Sequence, residues 1–128
     1  MKRDIKKILI VDDEKNAVKL VEKFLPQDSY SFIEAFDGKE ACRKAKEEHP
    51  SMIVLDMLMP GMDGYEVIEE LKNNSRTADI PILILSAAQV DRGKISGKDK
   101  EGDIPVISKP FNPKHLEKNV ENLLNRQG

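Results

Sequence analysis

A single cysteine, Cys42, is all that this sequence contains, which excludes an internal disulfide and the disulfide-stapled scaffolds of small secreted proteins. Cys42 sits beside Ala41 and Ala45 in a segment that reads as helix, so a small buried core residue is expected there and not a reactive thiol. Long apolar runs are missing as well. No stretch approaches the roughly 18 residues that span a bilayer, and no apolar segment of signal-peptide type opens the chain. A reducing cytoplasmic compartment and the absence of a membrane partner are therefore expected. There is no excess of either charge: 21 Lys and Arg stand against 23 Asp and Glu, a formal net charge of -2, in a composition that is 34% charged. The signs are interspersed as on an ordinary solvated surface, so no nucleic-acid partner is expected. Lys2-Arg3 and Lys6-Lys7 read as solvated ends, not as an electrostatic arm.

What is present is an alternation. The 128 residues fit one domain with a real core, and no repeat, low-complexity tract or linker divides them; residues 1–128 are expected to form a single domain without an output domain. Ile8-Leu9-Ile10-Val11, Met52-Ile53-Val54-Leu55, Ile82-Leu83-Ile84-Leu85 and the shorter Val106-Ile107 are continuous apolar runs, as expected of strands covered on both faces in a parallel sheet. Ser31 to Ala35 is a weaker fifth candidate. Between the runs the period becomes helical: Ala17, Leu20, Val21, Phe24 and Leu25 in one segment, Leu116, Val120, Leu123 and Leu124 in another. Asp37-Gly-Lys-Glu40 and Asp63-Gly-Tyr-Glu66 have the form of capping boxes, and Asn112-Pro113 is a cap followed by proline at the first helical position, which places helix starts near 38, 64 and 113. The order implies right-handed crossovers and a doubly wound α/β fold, an open parallel sheet with helices on both faces.

The polar residues that end the strands carry the chemistry. Asp12 and Asp13 follow the first run, Asp56 the third strand, Ser86 the fourth and Lys109 the fifth. In an open parallel sheet all of them meet at the carboxyl edge, where such folds bind ligands. Three carboxylates gathered there repel one another unless a cation joins them, and hard oxygen donors at an open edge suit Mg²⁺. Aspartate is also a favoured N-cap, which could account for one of the adjacent pair; two in sequence, facing a third across the sheet, exceed what capping explains. Lys109 precedes Pro110, which restricts its backbone to extended conformations, so its ammonium is expected to reach over the edge, pairing with Asp56 or neutralising a phosphoryl oxygen. Pro110 is a candidate cis proline. The Ser86 hydroxyl is a candidate hydrogen-bond donor to another phosphoryl oxygen, with a cap on the following segment as the alternative.

Taken together, Ile10-Val11-Asp12-Asp13-Glu14, Asp56-Met-Leu-Met-Pro60-Gly-Met-Asp-Gly64-Tyr-Glu66, Ser86-Ala87 and Lys109-Pro110-Phe111 resemble the receiver domains of two-component response regulators over essentially the whole chain. Each piece alone is weak; jointly they are specific. The resemblance implies the flavodoxin-like strand order 2-1-3-4-5, for which a chemotaxis receiver is the standard example. It further implies that Asp56 accepts a phosphoryl group and that Asp13, Asp56 and the backbone carbonyl of Leu58 bind magnesium, with Asp12 acting through water. Lys109 and Ser86 would contact the phosphoryl group. The donor would be a phosphohistidine on a sensor histidine kinase or histidine phosphotransfer protein, and the chain would be a signalling domain, not an enzyme, that assists its own phosphorylation and dephosphorylation.

Three features depart from that pattern. Val106 stands three residues before Lys109, where the family usually has an aromatic switch residue, and valine cannot make the inward swing of a ring. The segment from Gln89 to Gly102 should hold the family's fourth helix, yet it carries Gly93, Gly97 and Gly102, each costing about 1 kcal/mol against alanine inside a helix, with Val90 and Ile95 as its large apolar residues; a short, displaced or poorly ordered helix is expected. The 22 residues between Ser86 and Lys109 are close to the family norm, so the site should survive. Leu58 and Ala88, both apolar, border the path that the attacking water takes in receivers, which implies an altered phosphoryl lifetime.

Val106 and the weak segment before it keep a second reading open, in which the same fold is an interaction module whose output does not depend on a phosphorylation-driven switch. A magnesium-dependent phosphatase of the haloacid dehalogenase type is disfavoured, since its nucleophile and second aspartate stand two apart after the first strand. A flavin protein is disfavoured because Asp12 and Asp13 would repel a flavin phosphate. His49 and His115 are expected at the surface near helix ends, and Met57, Met59 and Met62 are expected to pack the loop after Asp56 rather than to form a sticky partner surface.

Overall fold

A computed structural model describes residues 5–95 and 104–126. Lys2-Arg3, Gly97 and Gly102 lie outside the described residues. The apolar runs become strands because both their faces are covered, and the helical periods between them become the cover. In chain order the elements are β1 Lys6–Val11, α1 Lys15–Phe24, β2 Tyr30–Ala35, α2 Gly38–Glu48, β3 Met52–Asp56, α3 Gly64–Lys72, β4 Ile82–Ser86, a single 3₁₀ turn at Arg92–Ile95, β5 Val106–Ser108 and α4 Pro113–Asn125. All strand pairs are parallel and the order is β2-β1-β3-β4-β5, as expected. The 2-residue period of the strands divides the core in two. Leu9, Val11, Ile53, Leu55, Ile82 and Ile84 pack against α2 and α3. Ile8, Ile10, Met52, Val54, Leu83, Leu85 and Ile107 pack against α1 and α4.

The expected helix starts at 38, 64 and 113 are observed. Asp63 and Glu66 form the full reciprocal capping box. At α2 the box is offset by one residue: Asp37 accepts from the Glu40 N–H, but the Glu40 carboxylate reaches Phe36 N–H. The stripe of α1 also differs from expectation. Val18 and Val21 are its buried residues and the C-cap Leu25 is buried after them, while Leu20 is 43% exposed; a 100° rotation per residue lets Val18 replace Leu20 on the inward face. Cys42 is buried, and burial together with the nearby Glu70 pushes its thiol up to about 12, consistent with an inert core residue. His49 ends α2 in the left-handed region at φ 44, and both it and His115 are exposed.

The place of the expected fourth helix is taken, within the described residues, by the Arg92–Ile95 turn alone. Ile95 is buried in the α2/α3 side of the core and anchors it. Met57 and Met59 are buried and Met62 packs beside them, so the methionines do fill the loop after β3.

Two local features have measurable consequences. Gly64 opens α3 directly beneath that loop: a Cβ there would lie against Met57 Sδ and 2.6 Å from Met57 Cα, and backbone cannot yield as a side-chain tip can. Gly64→Ala is expected to lower stability by about 1–3 kcal/mol, the usual range for overpacking, read as a lower urea midpoint at unchanged slope. On the other side of the sheet Lys19 lies 2.7 Å from Glu34 and 3.7 Å from Glu22. Burial and the hydrogen bond to Glu34 push Glu22 up to about 7. A carboxyl raised on folding contributes stability that is complete below its unfolded value and lost as pH rises through the folded one. Glu22→Gln should therefore be more stable than wild type at pH 8 and indistinguishable from it near pH 4; equal differences at both values would exclude the effect.

Candidate functional site

Parallel register carries the strand-end residues to one edge. Val11 stands opposite Ala35 and Leu55, Asp56 opposite Leu85, and Ser86 opposite Ser108. Asp12 N–H continues the β1–β2 ladder by donating to Ala35 O at 3.2 Å, which fixes Asp12 at the end of the sheet. Asp12 and Asp56 are buried, Asp13 is exposed, and carboxylate oxygens of all three lie within 4.8 Å of one another. This is the cluster expected from sequence. Neither aspartate of the adjacent pair caps α1, whose N-cap is Glu14; instead Asp12 Oδ1 accepts from the Glu14 N–H at 3.0 Å.

Lys109 extends over the edge from the end of β5, and its bond to Pro110 is cis. Its ammonium lies 2.8 Å from Asp12 Oδ2 and 3.7 Å from Asp56 Oδ1. The expected pairing with Asp56 is thus the longer of two contacts, and Asp12 is the principal partner. The reason is geometric: Asp12 presents one oxygen to its own turn and the other to the lysine. Burial alone would lower the Lys109 ammonium, but the hydrogen bond and charge of Asp12, with Asp56 adding to them, outweigh it and leave it raised. Asp56 is held above the ordinary carboxylate range, first by burial and then by the charge of Asp12. Lys109 and the Leu58 N–H, 3.4 Å from Asp56 Oδ1, act against that rise.

Ser86 is buried, and its Oγ accepts from the Ala88 N–H at 3.2 Å. The capping alternative is therefore realised, while the hydroxyl proton remains available to a further acceptor because a serine oxygen can accept and donate at once. Ser86 O accepts from Lys109 N–H at 2.9 Å, which ties the two strand ends together. Leu58 is 56% exposed and Ala88 is exposed; the backbone N–H of the first lies 3.4 Å from Asp56 Oδ1 and that of the second 3.2 Å from Ser86 Oγ. Val106, half-buried, packs on the α2/α3 side of the core. One contact was not foreseen: Asp91 N–H donates to the Tyr65 hydroxyl at 2.8 Å. The pair is 26 positions apart in sequence, and no periodicity signals it.

A doubly wound five-stranded sheet with an acidic carboxyl edge defines the class as a CheY-like, flavodoxin-type domain. The family model for the response regulator receiver domain matches residues 8–121, and the chain belongs to that family, a family of signalling domains. It is 40% identical over 120 residues to the transcriptional regulator ycf27 of Porphyridium aerugineum, covering 94% of this chain and 48% of that protein. It is 39% identical over 121 residues to the alkaline phosphatase synthesis transcriptional regulatory protein PhoP of Bacillus subtilis, covering 94% and 49%. The chain thus spans about half the length of the curated relatives it matches. Among solved structures, a response regulator from Chloroflexus aurantiacus superposes with a TM-score of 0.83 at 31% identity, over 96% of this chain and 100% of the other. The expectation of no nucleic-acid partner finds no support in these comparisons, because the curated relatives are named transcriptional regulators; balanced charge on this chain says nothing of the other half of such proteins. Among the described residues no helix is long and apolar enough to cross a membrane.

The crowded carboxylates make a prediction that needs no assay of function. A carboxyl raised on folding favours the native state below its unfolded value of about 3.9 and opposes it once ionised. Asp56→Asn, which removes that charge, should melt higher than wild type at pH 7 in EDTA. Millimolar Mg²⁺ should narrow or reverse the gap, since a cation held by the carboxylates stabilises the wild type by mass action. A variant that melts lower in EDTA would contradict the electrostatic account.

Proposed function

We propose that this domain accepts a phosphoryl group on Asp56 from a phosphohistidine of a sensor histidine kinase or histidine phosphotransfer protein in the cytoplasm, and that it signals through the resulting change in shape or binding. The observation that carries this reading is the convergence at one sheet edge of Asp12, Asp13 and Asp56 within 4.8 Å, with the Lys109 ammonium 2.8 Å and 3.7 Å from two of them. Such a set is built around charge, and phosphoryl transfer is catalysed mainly by positioning and charge stabilisation.

The donor set fits a hard divalent cation: three carboxylates carry more negative charge than one lysine offsets, and oxygen donors at an open edge suit Mg²⁺. Asp13, Asp56 and the Leu58 carbonyl would hold it directly and Asp12 through water. When bound it supplies positive charge to the phosphoryl oxygens and favours the ionised carboxylates. An Asp56 oxygen forms the new bond to phosphorus as the bond to the donor's imidazole nitrogen breaks and the imidazole leaves. Lys109 exchanges part of its contact with Asp12 and Asp56 for a phosphoryl oxygen, and the Ser86 hydroxyl proton is directed to another. Leu58 and Ala88 offer no side-chain group to orient a water for hydrolysis. The domain acts as a phosphoacceptor that assists its own reaction, not as a turnover enzyme.

Incubation with acetyl phosphate and Mg²⁺ should add about 80 Da to the intact mass, the phosphoryl increment, in wild type and not in Asp56→Asn. Lys109→Ala should slow the reaction by about 100-fold, the usual cost of removing one preorganised charge donor. An equal adduct in Asp56→Asn would overturn the assignment.

Val106 in β5 and the 3₁₀ turn at Arg92–Ile95 favour a second reading, an interaction module whose output is independent of phosphorylation. Amide shifts in the described part of residues 86–108 that stay unchanged on adduct formation would favour it.

A further inference from the structure

Two loops flank the carboxylates, and one polar contact joins them at a distance from the site. Tyr65 follows Gly64, whose N–H donates to Met57 O at 3.1 Å, so Tyr65 is tied through one residue to the chain leaving Asp56. Asp91 stands five residues after Ser86, and between the Ala88 N–H, held by Ser86 Oγ at 3.2 Å, and Asp91 there are only Gln89 and Val90. Asp91 also organises the turn on its C-terminal side: its side chain accepts from the Gly93 N–H at 2.9 Å and its carbonyl from the Lys94 N–H at 3.1 Å. The Lys94 ammonium lies 5.4 Å from the Tyr65 ring centroid. The Arg92–Ile95 turn therefore hangs from Tyr65 by a hydrogen bond and a cation–π contact.

We propose that Tyr65 is a positioning residue that holds the loop following Ser86 through the Asp91 N–H and passes the state of Asp56 to the Arg92–Ile95 turn. This rests on the reading of Asp56 as phosphoacceptor. Val106 bears no polar group and no ring, so it can neither hold this loop by hydrogen bond nor fill space by rotation; Tyr65 supplies both a ring and a hydroxyl from the opposite loop. Drawing Ser86 Oγ toward a phosphoryl oxygen shifts the acceptor of Ala88 N–H. Gln89 and Val90 join Ala88 to Asp91, Val90 packing on the same side of the core as Tyr65, and a displacement carried through them lengthens the bond of Asp91 to Tyr65. That bond is solvent-exposed, and exposed hydrogen bonds are weak enough in net terms to be exchanged.

The chain has two tyrosines and no tryptophan, so Tyr30→Phe leaves Tyr65 as the sole tyrosine reporter. Tyr30 lies on β2, on the α1/α4 side of the sheet, and has no part in the site. The protein carrying Tyr30→Phe is labelled with 3-fluorotyrosine and treated with acetyl phosphate and Mg²⁺, whereupon the Asp56–phosphorus bond forms and acetate leaves. The expected result is a new Tyr65 fluorine resonance whose intensity follows the phosphoryl adduct in intact mass and which is absent in Asp56→Asn. The Asp91 amide, followed in a ¹⁵N-labelled sample, should move with it. In Tyr65→Phe the adduct should still form, the Asp91 amide should be displaced before any donor is added, and shifts across residues 86–95 on phosphorylation should fall to less than half of wild type. Adduct formation with an unmoved Tyr65 resonance, or a full wild-type response in Tyr65→Phe, overturns the role of Tyr65 and leaves Asp56 as acceptor. Failure to form any adduct overturns both.

Discussion

Mutual repulsion among Asp12, Asp13 and Asp56, gathered at the ends of neighbouring strands and opposed by one lysine, is the constraint on which the rest of the edge depends. Like charges this close, two of them buried, would separate if their backbone were free. It is not free, because β1 and β3 are covered on both faces by apolar residues whose removal from water is worth roughly 1.5–3 kcal/mol for each large side chain. The sheet therefore holds an arrangement that its own charges oppose. Asp56 is raised first by its burial in that sheet and then by the charge of Asp12, and Lys109 registers the compensation as a raised ammonium against its own burial.

Compensation explains the local chemistry in turn. Asp12 divides its oxygens between the Glu14 N–H and Lys109, so the carboxylate nearest the lysine is also the one most firmly oriented. Among the described residues Asp56 is held by longer contacts, at 3.4 Å and 3.7 Å. In the proposed transfer, an oxygen so lightly engaged would react without first breaking a strong bond. The loop that carries Met57 and Leu58 is kept against the sheet by the absence of a Cβ at Gly64 and by the buried methionines, which places a helix N-terminus and a tightly packed turn beside the most crowded charges.

Much of this was legible in the sequence, and the physical reason is that it depended on period and position alone. Continuous apolar runs imply two covered faces, their alternation with helical periods implies parallel crossovers, and parallel strands put every strand-end residue at one edge. Asp37, Asp63 and Asn112 marked helix starts because caps are local chemistry. The features that escaped depend on rotation or on contacts between distant segments. Val18 and Leu20 are both apolar, and which of them turns inward on α1 is decided by how the helix seats on the sheet. Whether Lys109 meets Asp12 or Asp56 is a matter of small differences in side-chain reach. Glu40 turning to Phe36 instead of Asp37 is a shift of one residue in a box whose letters are unchanged.

The contact of Tyr65 with Asp91 belongs to the same class, and it bears on how such a site can be read out. A ring that changes rotamer in a packed core must find a cavity, and packed interiors have few. A hydrogen bond at the surface requires none: water takes the place of the lost partner at little net cost, and the segment it held has few buried contacts to resist. Among the contacts that hold the Arg92–Ile95 turn are Ile95 in the core, the turn bonds of Asp91 and Tyr65, and the polar ones lie at the surface, one strand away from the carboxylates. Segments of that kind open at the low end of the stability range. In a chain with valine in β5, the proposed change at the carboxyl edge would be expressed in the polar anchoring of this turn to α3, which costs no cavity to exchange.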